Sequence, residues 1–553
     1  MIFNSVSGNM REEPSSDPRR HLVCYGRVLP LSLLRSAHMK LFDQAFLLSL
    51  VKEFRRSMKG LVPELCDELE QRYPRTTKRL RLPVGLIRLT GEAMSQESYS
   101  HWRIVGWVES LNDLVYFIDL YEQALRDNQN ADFVEQLYAE CQRTWYEHSY
   151  AEELFPDGAV CDGRLAGRLG YLCRRLARDI AQQAVLWSPA LSCEWVRKTG
   201  RRSWKIACDL TTNFDRADLP FALSAGVDDT VYHAPRFVRE ALRSAATDPS
   251  LIVTGREIAL VGGGGQSPFY TAGPDEQWHW RREDPIVLRR SSMGTLTLGP
   301  TLVYGRRRVP TRVSPTPLRV AAHMRRALAV LEQAWPAGNE CLGLLTSRII
   351  PLKASGVVSF SYRHQPGLSF INCFDRDHLD LIDDLVHENS HHHLNLLLRK
   401  YLLYRDDCNR EMFYSPWRRT LRPIRGILHA SFTFAMGAVL FERLSAWASG
   451  PEGERGWRRG GLSRRDLDRA RYRGLEEIES VRYSLQDLRQ AKRRFGWITP
   501  QGGTLVDLVA RAISGVARRM EQGRARVARS RYGTELVRHQ RALQVARERY
   551  GPE

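Results

Sequence analysis

The chain is 553 residues long, with 43% hydrophobic and 26% charged residues, a composition typical of a globular protein of several domains. It excludes a collagen-like, coiled-coil or wholly disordered chain. Lysine and arginine number 82 against 63 aspartate and glutamate residues, so the formal net charge is +19 and an acidic partner must be considered.

Cysteine usage and hydropathy indicate the compartment. The 10 cysteines are scattered singly, without a CxxC pair or a dense disulfide framework. We find neither a run of about 20 apolar residues nor the apolar core of a secretory signal, so we expect no membrane span and no export. A cytoplasmic protein is therefore predicted.

The first half of the chain divides into three regions by composition. Residues 1–20 are rich in serine, proline, asparagine and charge, which predicts a disordered tail. Apolar positions at helical spacing, as in LFDQAFLLSLVKEFRRSM, predict an N-terminal helical domain over 21–246. Short β-branched and apolar runs separated by glycine and proline predict a β-rich segment over 247–313.

The second half is predicted to hold the chemistry. Residues 314–449 combine helical patterns with the candidate strands GVVSFSY and LSFINCF, and a long helix then begins where Asp375 or Asp377 can cap it. The composition of 450–463 is typical of a linker, and 464–553 are predicted to be arginine-rich helices. The expected fold class is α+β and predominantly helical.

The most informative motif is His387-Glu388-Asn389-Ser390-His391, an HExxH sequence within the long helix. Residues four apart lie on the same face of a helix, so His387 and His391 are placed to bind one metal ion. Glu388 is displaced around the helix and can face a metal-bound water or a substrate. The spacing therefore predicts a metal site.

The flanking sequence strengthens this interpretation. Apolar residues such as Leu385, Val386 and Leu396 precede and follow the motif, so we expect the helix to be largely buried. Burying two histidines and a glutamate without a metal or partners would be costly. A metal site is favoured over a chance match on a solvated helix or a set of hydrogen-bonded core histidines. His392 and His393 point to other faces and are expected to serve packing or support.

A third protein ligand must come from elsewhere in the chain. A metzincin would need glycine and histidine where this chain has Leu394 and Leu397, so that class is excluded. Glu411 and His429 are the two candidates. We favour His429, in a second apolar helix, because the segment around Glu411 lacks the Glu-x-x-x-Asp pattern expected of a gluzincin.

The run LVHENSHHHLNLLL, followed by YSPWRRTLRPIRGILHASFTF, resembles the HExxH-type family of peptide-modifying proteins found with ribosomally made natural-product precursors. That family is associated with 2-oxoglutarate-dependent peptide β-hydroxylation. The match joins the HExxH helix, a Ser-Pro-Trp-Arg segment, an Arg-Pro pair and a Gly-x-x-His before an apolar helix, in that order. It is strongest from about Leu342 to Trp447.

The resemblance implies an Fe(II) site with His387, His391 and His429 as ligands and Glu388 near the metal. Three protein ligands leave coordination positions open for oxygen and 2-oxoglutarate. The role of Glu388 differs with the metal: it would be the general base of a hydrolase, whereas in an iron enzyme it would orient a ligand or water.

The distal carboxylate of 2-oxoglutarate needs a cation. Arg418 and Arg422 are the candidates, because a guanidinium fork matches a carboxylate bidentately. The alternative for each is a salt-bridged surface arginine. The neighbouring Trp417 is expected either to wall the pocket or to serve as an ordinary core residue.

Two other functions stay open. The first is a zinc metallopeptidase with Glu388 as general base and Glu411 or His429 as third ligand. The second is a non-catalytic helical protein that binds peptide or nucleic acid. A metal assay with candidate peptides distinguishes the three.

The expected partner is a precursor peptide, with an acidic leader matching the basic charge. In a zincin-like core, an edge strand beside the HExxH helix pairs with an extended peptide, so the strands before the helix are the predicted peptide-binding edge. Nucleic acid is less favoured, because we find no zinc-finger spacing, RNP aromatic motif or convincing helix-turn-helix.

Overall fold

The computed structural model describes most of the second half of the chain and parts of the first. The described residues are 39–41, 43–94, 96–126, 169–170, 173, 176, 294–305, 310–363, 365–405, 412–450 and 453–551. Between 204 and 291 the described residues are those of the short strands whose bounds are given below. Within them helices predominate and strands form small sheets, which confirms the α+β, predominantly helical class. The predicted tail, 1–20, lies outside the described residues.

The N-terminal helices are α1 (Gln44–Gln71), α2 (Pro74–Arg79), α3 (Val84–Ala93) and α4 (Trp102–Arg126), with a 3₁₀ turn at Glu97–Ser100. α1 begins where the carboxylate of Asp43 accepts a hydrogen bond from the backbone N–H of Phe46, which satisfies a helix-end donor. Buried residues of α1, α3 and α4 form their own apolar cluster, with Leu65, Ile87 and Val108 at its centre.

Short strands follow, which are β1 (Trp204–Ala207), β2 (Ala222–Ala225), β3 (Thr230–His233), β4 (Ser250–Thr254), β5 (Glu257–Gly262), β6 (Gly265–Thr271) and β7 (Arg281–Glu283). They form two antiparallel sheets, β1-β4-β5-β6 and β2-β3-β7. The helical prediction for 21–246 therefore does not hold for β1 to β3. β1 pairs with β4, β2 with β3 and β3 with β7, and local periodicity does not encode these pairings.

A mixed sheet comes next in the chain. Its strands are β8 (Ile286–Ser291), β9 (Gly294–Leu298), β10 (Thr301–Tyr304), β11 (Pro310–Ser314), β12 (Arg348–Lys353), β13 (Phe360–Ser361) and β14 (Leu368–Asn372). The central β12 is parallel to β14 on one side and to β9 and β10 on the other. β13 is antiparallel to β14 and lies at the edge of the sheet within the described residues.

Helices cover this sheet and carry the HExxH motif. They are α5 (Leu318–Ala334), α6 (Pro336–Leu345), α7 (His378–Lys400) and α8 (Ile424–Ser449), with a hairpin of β15 (Phe413–Ser415) and β16 (Thr420–Arg422) before α8. The carboxylate of Asp377 accepts from the backbone N–H of Asp380 and caps α7, so Asp377 rather than Asp375 is the N-cap.

α8 is the most apolar of these helices. It is long and apolar enough to cross a membrane by length and composition alone, and within the described residues it is the one helix with that property. However, 72% of its apolar stretch is buried inside the protein. Such burial is typical of the core helix of a soluble protein.

The C-terminal helices are α9 (Gly453–Arg459), α10 (Arg464–Gln490), α11 (Pro500–Ala528) and α12 (Gly533–Tyr550), with a π-helical turn at Ala491–Phe495. α9 lies inside 450–463, the segment predicted to be a linker, and its Trp457 is only 3% exposed. Trp457 belongs to the same apolar core as residues of α7, α8, α10 and α11. The C-terminal helices are therefore continuous with the core around the HExxH helix.

The close approach of α8, α10 and α11 depends on a glycine. A Cβ built at Gly474 of α10 would lie 2.6 Å from Met520 Cε and 3.2 Å from Phe441 Cβ. Glycine in a helix interior costs about 1 kcal/mol relative to alanine. The close packing of the three helices explains why this position has no side chain.

We expect Gly474→Val to lower the free energy of unfolding by about 1–3 kcal/mol, because the added methyl groups must displace Met520 and press on Phe441. The measurement is urea unfolding followed by circular dichroism. Gly523→Val is the matched control, since nothing lies within 4 Å of a Cβ at Gly523 of α11. Equal destabilisation by the two variants would contradict the packing argument.

Candidate metal centre

The HExxH motif lies in the middle of α7 and forms a compact cluster of donor atoms. The rings of His387 and His391 are 4.9 Å apart between centroids. Each of His387, Glu388 and His391 offers one potential ligand atom, and these atoms all lie within 4.8 Å of one another. In the described part of the chain this is the one group of three or more such residues found.

Loss of solvation keeps the two half-buried motif histidines in the neutral form that binds metals. Loss of solvation lowers the pKa of His387, and the nearby charges of Arg473 and Arg418 act in the same direction. Loss of solvation also holds the pKa of His391 well below its usual range, assisted by His387 and His429. Neutral imidazole is the ligating form of histidine. The donor set therefore fits a divalent transition metal such as Fe(II) or Zn²⁺.

Glu388 is only 2% exposed, and its Oε2 accepts a hydrogen bond from Ser361 Oγ at 2.8 Å. Burial raises the pKa of Glu388 to about 8, against the opposing effect of the Ser361 hydrogen bond. In the metal-free protein this carboxyl would therefore lose its proton near neutral pH rather than in the acidic range. A cation in the cluster would favour its ionised form.

A second hydroxyl–carboxyl pair lies beside the first. Ser359 Oγ donates to Asp384 Oδ2 at 2.6 Å, one turn of α7 before the pair of Ser361 and Glu388. Because alternate residues of an extended chain face the same way, the two serines bond to two carboxyls on one face of α7. The edge segment is thereby attached directly to the HExxH helix.

His429 lies in the second turn of α8, with its ring centroid 6.3 Å from that of His391. The structure thus brings this predicted third ligand beside the motif, although outside the group whose donor atoms lie within 4.8 Å of one another. The alternative ligand, Glu411, lies outside the described residues.

The two predicted 2-oxoglutarate arginines belong to the hairpin that precedes α8. Arg418 is exposed in the turn, where its backbone N–H lies 3.4 Å from Ser415 Oγ, and its charge lowers the pKa of His387. Arg422 ends β16, is half-buried, and its Nε would lie 3.8 Å from a Cβ at Gly426. Arg422 therefore borders the beginning of α8, the helix that carries His429, whereas Arg418 affects the cluster through its charge.

The neighbouring histidines serve packing, as predicted. His392 Nδ1 accepts from the backbone N–H of Gly367 at 3.4 Å, and its Nε2 lies 3.1 Å from Ser369 Oγ. These bonds tie α7 to β14. The buried ring of His393 packs edge-on against Phe432, with centroids 5.2 Å apart.

Sequence reasoning left the role of Trp417 open and missed its partners Phe434 and Glu477. Trp417 stacks on Phe434 at 4.4 Å with an interplanar angle of 6°, and Phe434 in turn lies 4.9 Å from the ring of His387. Trp417 Nε1 donates to Glu477 Oε2 at 2.7 Å. The side of the cluster that faces α10 is thus built from an aromatic pair anchored on a buried carboxyl.

The carboxyl of Glu477 joins a wider network on α10. Arg473 Nη2 lies 3.5 Å from Glu477 Oε1 and 3.0 Å from Asp383 Oδ2, one turn before His387 on α7. The sequence carried a signal for this role: Glu477 occupies the apolar stripe of α10 that contains Ala470, Gly474 and Val481. An acidic residue in an apolar stripe indicates a buried polar partner.

Comparisons with known proteins assign no class to this arrangement. No protein-family model matches the chain, and neither does any curated protein compared with it. The donor cluster and its surroundings are therefore the basis for a functional proposal.

The raised pKa of Glu388 makes a prediction about stability in metal-free protein. A carboxyl whose pKa rises from 4.5 to about 8 on folding stabilises the fold below pH 4.5, and this contribution is lost as the pH rises through 8. Wild type should therefore lose stability relative to Glu388→Gln over this interval, at up to about 1.4 kcal/mol per pH unit. Urea unfolding with a chelator at several pH values measures the difference.

Glu521→Gln is the control for this titration, since the Glu521 side chain is 69% exposed. Its stability should follow that of wild type across the pH range. A constant difference between Glu388→Gln and wild type from pH 5 to 8 would show that the Glu388 carboxyl does not titrate in that interval.

Proposed function

We propose that the chain is a cytoplasmic, metal-dependent oxygenase that hydroxylates a side-chain β-carbon of a ribosomally made precursor peptide. The observation that carries the proposal is the cluster of His387, Glu388 and His391, in which the carboxyl is buried and the two histidines are half-buried, with His429 beside it. The sequence resemblance to HExxH-type peptide-modifying proteins supplies the reaction class. Fe(II) is the proposed metal, with His387, His391 and His429 as its ligands.

The surroundings of the cluster support a zincin-like core. The HExxH helix α7 packs against a mixed sheet whose edge strand β13 is antiparallel to its neighbour β14. That edge contacts the motif directly through Ser361 and Glu388. A sheet edge beside a metal-binding helix provides main-chain groups for an extended peptide.

The histidines of the cluster and the arginines of the hairpin have separate roles in the proposed reaction. When bound, Fe(II) and 2-oxoglutarate would supply the chemistry by which dioxygen oxidises the peptide: one oxygen atom enters the C–H bond, and the other converts 2-oxoglutarate to succinate and carbon dioxide. The histidines remain neutral because they are desolvated. Arg418 or Arg422 binds the distal carboxylate of 2-oxoglutarate through its guanidinium group.

The remaining groups orient the reactants and exclude water. Glu388, held by Ser361 Oγ, orients a bound ligand or water through its carboxyl. The stacked rings of Trp417 and Phe434 cover the cluster on the side of α10. Exclusion of water strengthens the electrostatic contacts within the site.

A zinc metallopeptidase is the second candidate. It is favoured by the position of Glu388 in the donor cluster beside the two histidines, because a carboxylate next to a metal-bound water can act as general base. In that case Glu388 would take the proton of a metal-activated water. Peptide cleavage without consumption of 2-oxoglutarate would favour this candidate over the oxygenase.

Anaerobic purification tests the metal and the reaction together. We expect bound iron and, once oxygen is admitted, conversion of 2-oxoglutarate to succinate that increases with a suitable precursor peptide. His429→Ala should lower the metal content at least tenfold if His429 is a ligand. His539→Ala is the control, because that histidine bonds to Ser480 on α10 and does not belong to the donor cluster.

The outcomes separate the three functions. Zinc with peptide cleavage contradicts the oxygenase, and absence of metal binding supports a non-catalytic binding protein. Full metal affinity in His429→Ala would direct attention to Glu411 as the third ligand.

The peptide-binding edge has its own test. Tyr362, 40% exposed directly after β13, is replaced by proline, which removes a backbone N–H from the edge. We expect about tenfold weaker peptide binding with unchanged metal content. Leu318→Pro is the control, because Leu318 is 78% exposed at the first residue of α5, where proline is tolerated. Equal peptide affinity in the two variants would argue against edge pairing.

A further inference from the structure

A cavity of about 550 Å³ lies between α8, α11 and the junction of α5 and α6. Its apolar lining includes Trp335, Pro336, Val439 and Val516. The volume falls within the range of roughly 300–1,000 Å³ typical of ligand sites. None of these residues belongs to the metal cluster.

The polar lining of the cavity is strongly basic. Three of its residues are arginines, namely Arg443, Arg511 and Arg519. The acidic residue beside them, Glu442, is 4% exposed and accepts from Arg519 Nε at 2.9 Å and Nη2 at 3.2 Å. Arg443 Nε lies 3.5 Å from the same carboxylate. A single buried carboxylate thus neutralises only part of the charge of three guanidinium groups, so the cavity lining keeps an excess of positive charge.

The face of α11 that lines the cavity is arranged around a glycine. A Cβ at Gly515 would lie 3.3 Å from Arg519 Nη1, so the absence of a side chain gives this guanidinium room at the cavity wall. Arg511, Gly515 and Arg519 follow at steps of four residues and share one helix face. Arg511 forms no hydrogen bond or ion pair within the described residues, so its charge is available to a ligand.

The spacing of these groups indicates the kind of ligand. Arg511 and Arg519 are separated by about 12 Å along α11, which is too far for both to bind one carboxylate. The distance matches carboxylates three or four residues apart on an extended chain, at about 3.3 Å per residue. An apolar side chain between them would fit the lining of Trp335 and Val439.

We propose that this cavity binds an acidic segment of a peptide, with an apolar side chain in the cavity. One carboxylate binds Arg511, and the other binds Arg443 at the opposite end, where Arg443 and Arg519 share the carboxylate of Glu442. The identity of the peptide as the enzyme's substrate rests on the proposed function. Val439 lies ten residues beyond His429 on α8, or about 15 Å along the helix. At least five residues of extended chain would therefore connect the cavity with the metal cluster.

The test measures binding without catalysis. Fluorescence anisotropy is recorded on metal-free, full-length protein with a labelled peptide in which acidic residues flank a leucine, and with its glutamine counterpart. We expect the acidic peptide to bind at least tenfold more tightly than the neutral one. The double variant Arg443→Gln and Arg511→Gln should remove most of that preference.

Two further variants separate a specific site from general attraction by a basic protein. Arg518→Gln changes the charge of α11 by the same amount per residue as Arg511→Gln, but Arg518 does not line the cavity, and we expect less than a twofold effect. Gly515→Leu fills the cavity from the exposed side and should weaken binding. Circular dichroism checks that each variant is folded.

Several outcomes would overturn the inference. One is an equal loss of peptide binding in Arg511→Gln and Arg518→Gln, and another is unchanged peptide binding in Gly515→Leu. Equal affinity for the acidic and neutral peptides would also overturn it, as would displacement of the labelled peptide by dodecanoate at a lower concentration than by unlabelled peptide. His391→Ala should bind the acidic peptide like wild type. Failure of 2-oxoglutarate turnover would therefore leave the cavity result standing, and failure of peptide binding would leave the metal result standing.

Discussion

Burial of the polar side chains of α7 is the constraint on which the site depends. Buried polar groups cost free energy unless they are hydrogen-bonded, and α7 buries several within the core. Glu388 bonds to Ser361, His392 to Gly367 and Ser369, and Asn389 Oδ1 accepts from Thr346 Oγ1 at 2.9 Å.

These bonds set the rotation of α7 about its axis. The partners of Glu388 and His392 lie on β13, on β14 and just before β14, so that face of the helix is held against the sheet. His387 and His391 then face α8, where Phe434 contacts one ring and His429 approaches the other. The geometry of the donor cluster is thus a consequence of how the other polar residues of the helix are satisfied.

The sequence was sufficient for the parts that depend on local pattern. The HExxH spacing and the apolar helix containing His429 follow from residues within one or two turns, whereas the helix cap was narrowed only to Asp375 or Asp377. The strand GVVSFSY shows the limit of such reasoning, because only Phe360–Ser361 pairs with β14. The residues before it are held differently: Asn372 Nδ2 donates to the carbonyls of Ala354 and Val357, which keeps this stretch out of the sheet. Contacts of that kind join distant residues and leave no local signature.

The C-terminal helices show why the basic composition alone could not indicate whether the arginines bind a partner or pair within the protein. Many arginines of 464–553 pair with carboxylates of the core: Arg469 with Asp377 at the start of α7, Arg473 with Asp383, and Arg519 with Glu442 of α8. Part of the arginine excess therefore holds the C-terminal helices against the helices of the proposed metal centre.

The hairpin that carries Arg418 depends on the same helices. Its Tyr414 stacks on Tyr550 of α12 at 5.6 Å and contacts Tyr483 of α10, over whose ring the guanidinium of Arg547 lies at 3.6 Å. Aromatic and cation–π contacts of this kind restrict the orientation of the groups that they join. The last helix of the chain thus supports the hairpin that carries Trp417 and Arg418. Because Trp417 stacks on Phe434, which contacts the ring of His387, the C-terminal helices help to hold the hairpin in place beside the donor cluster.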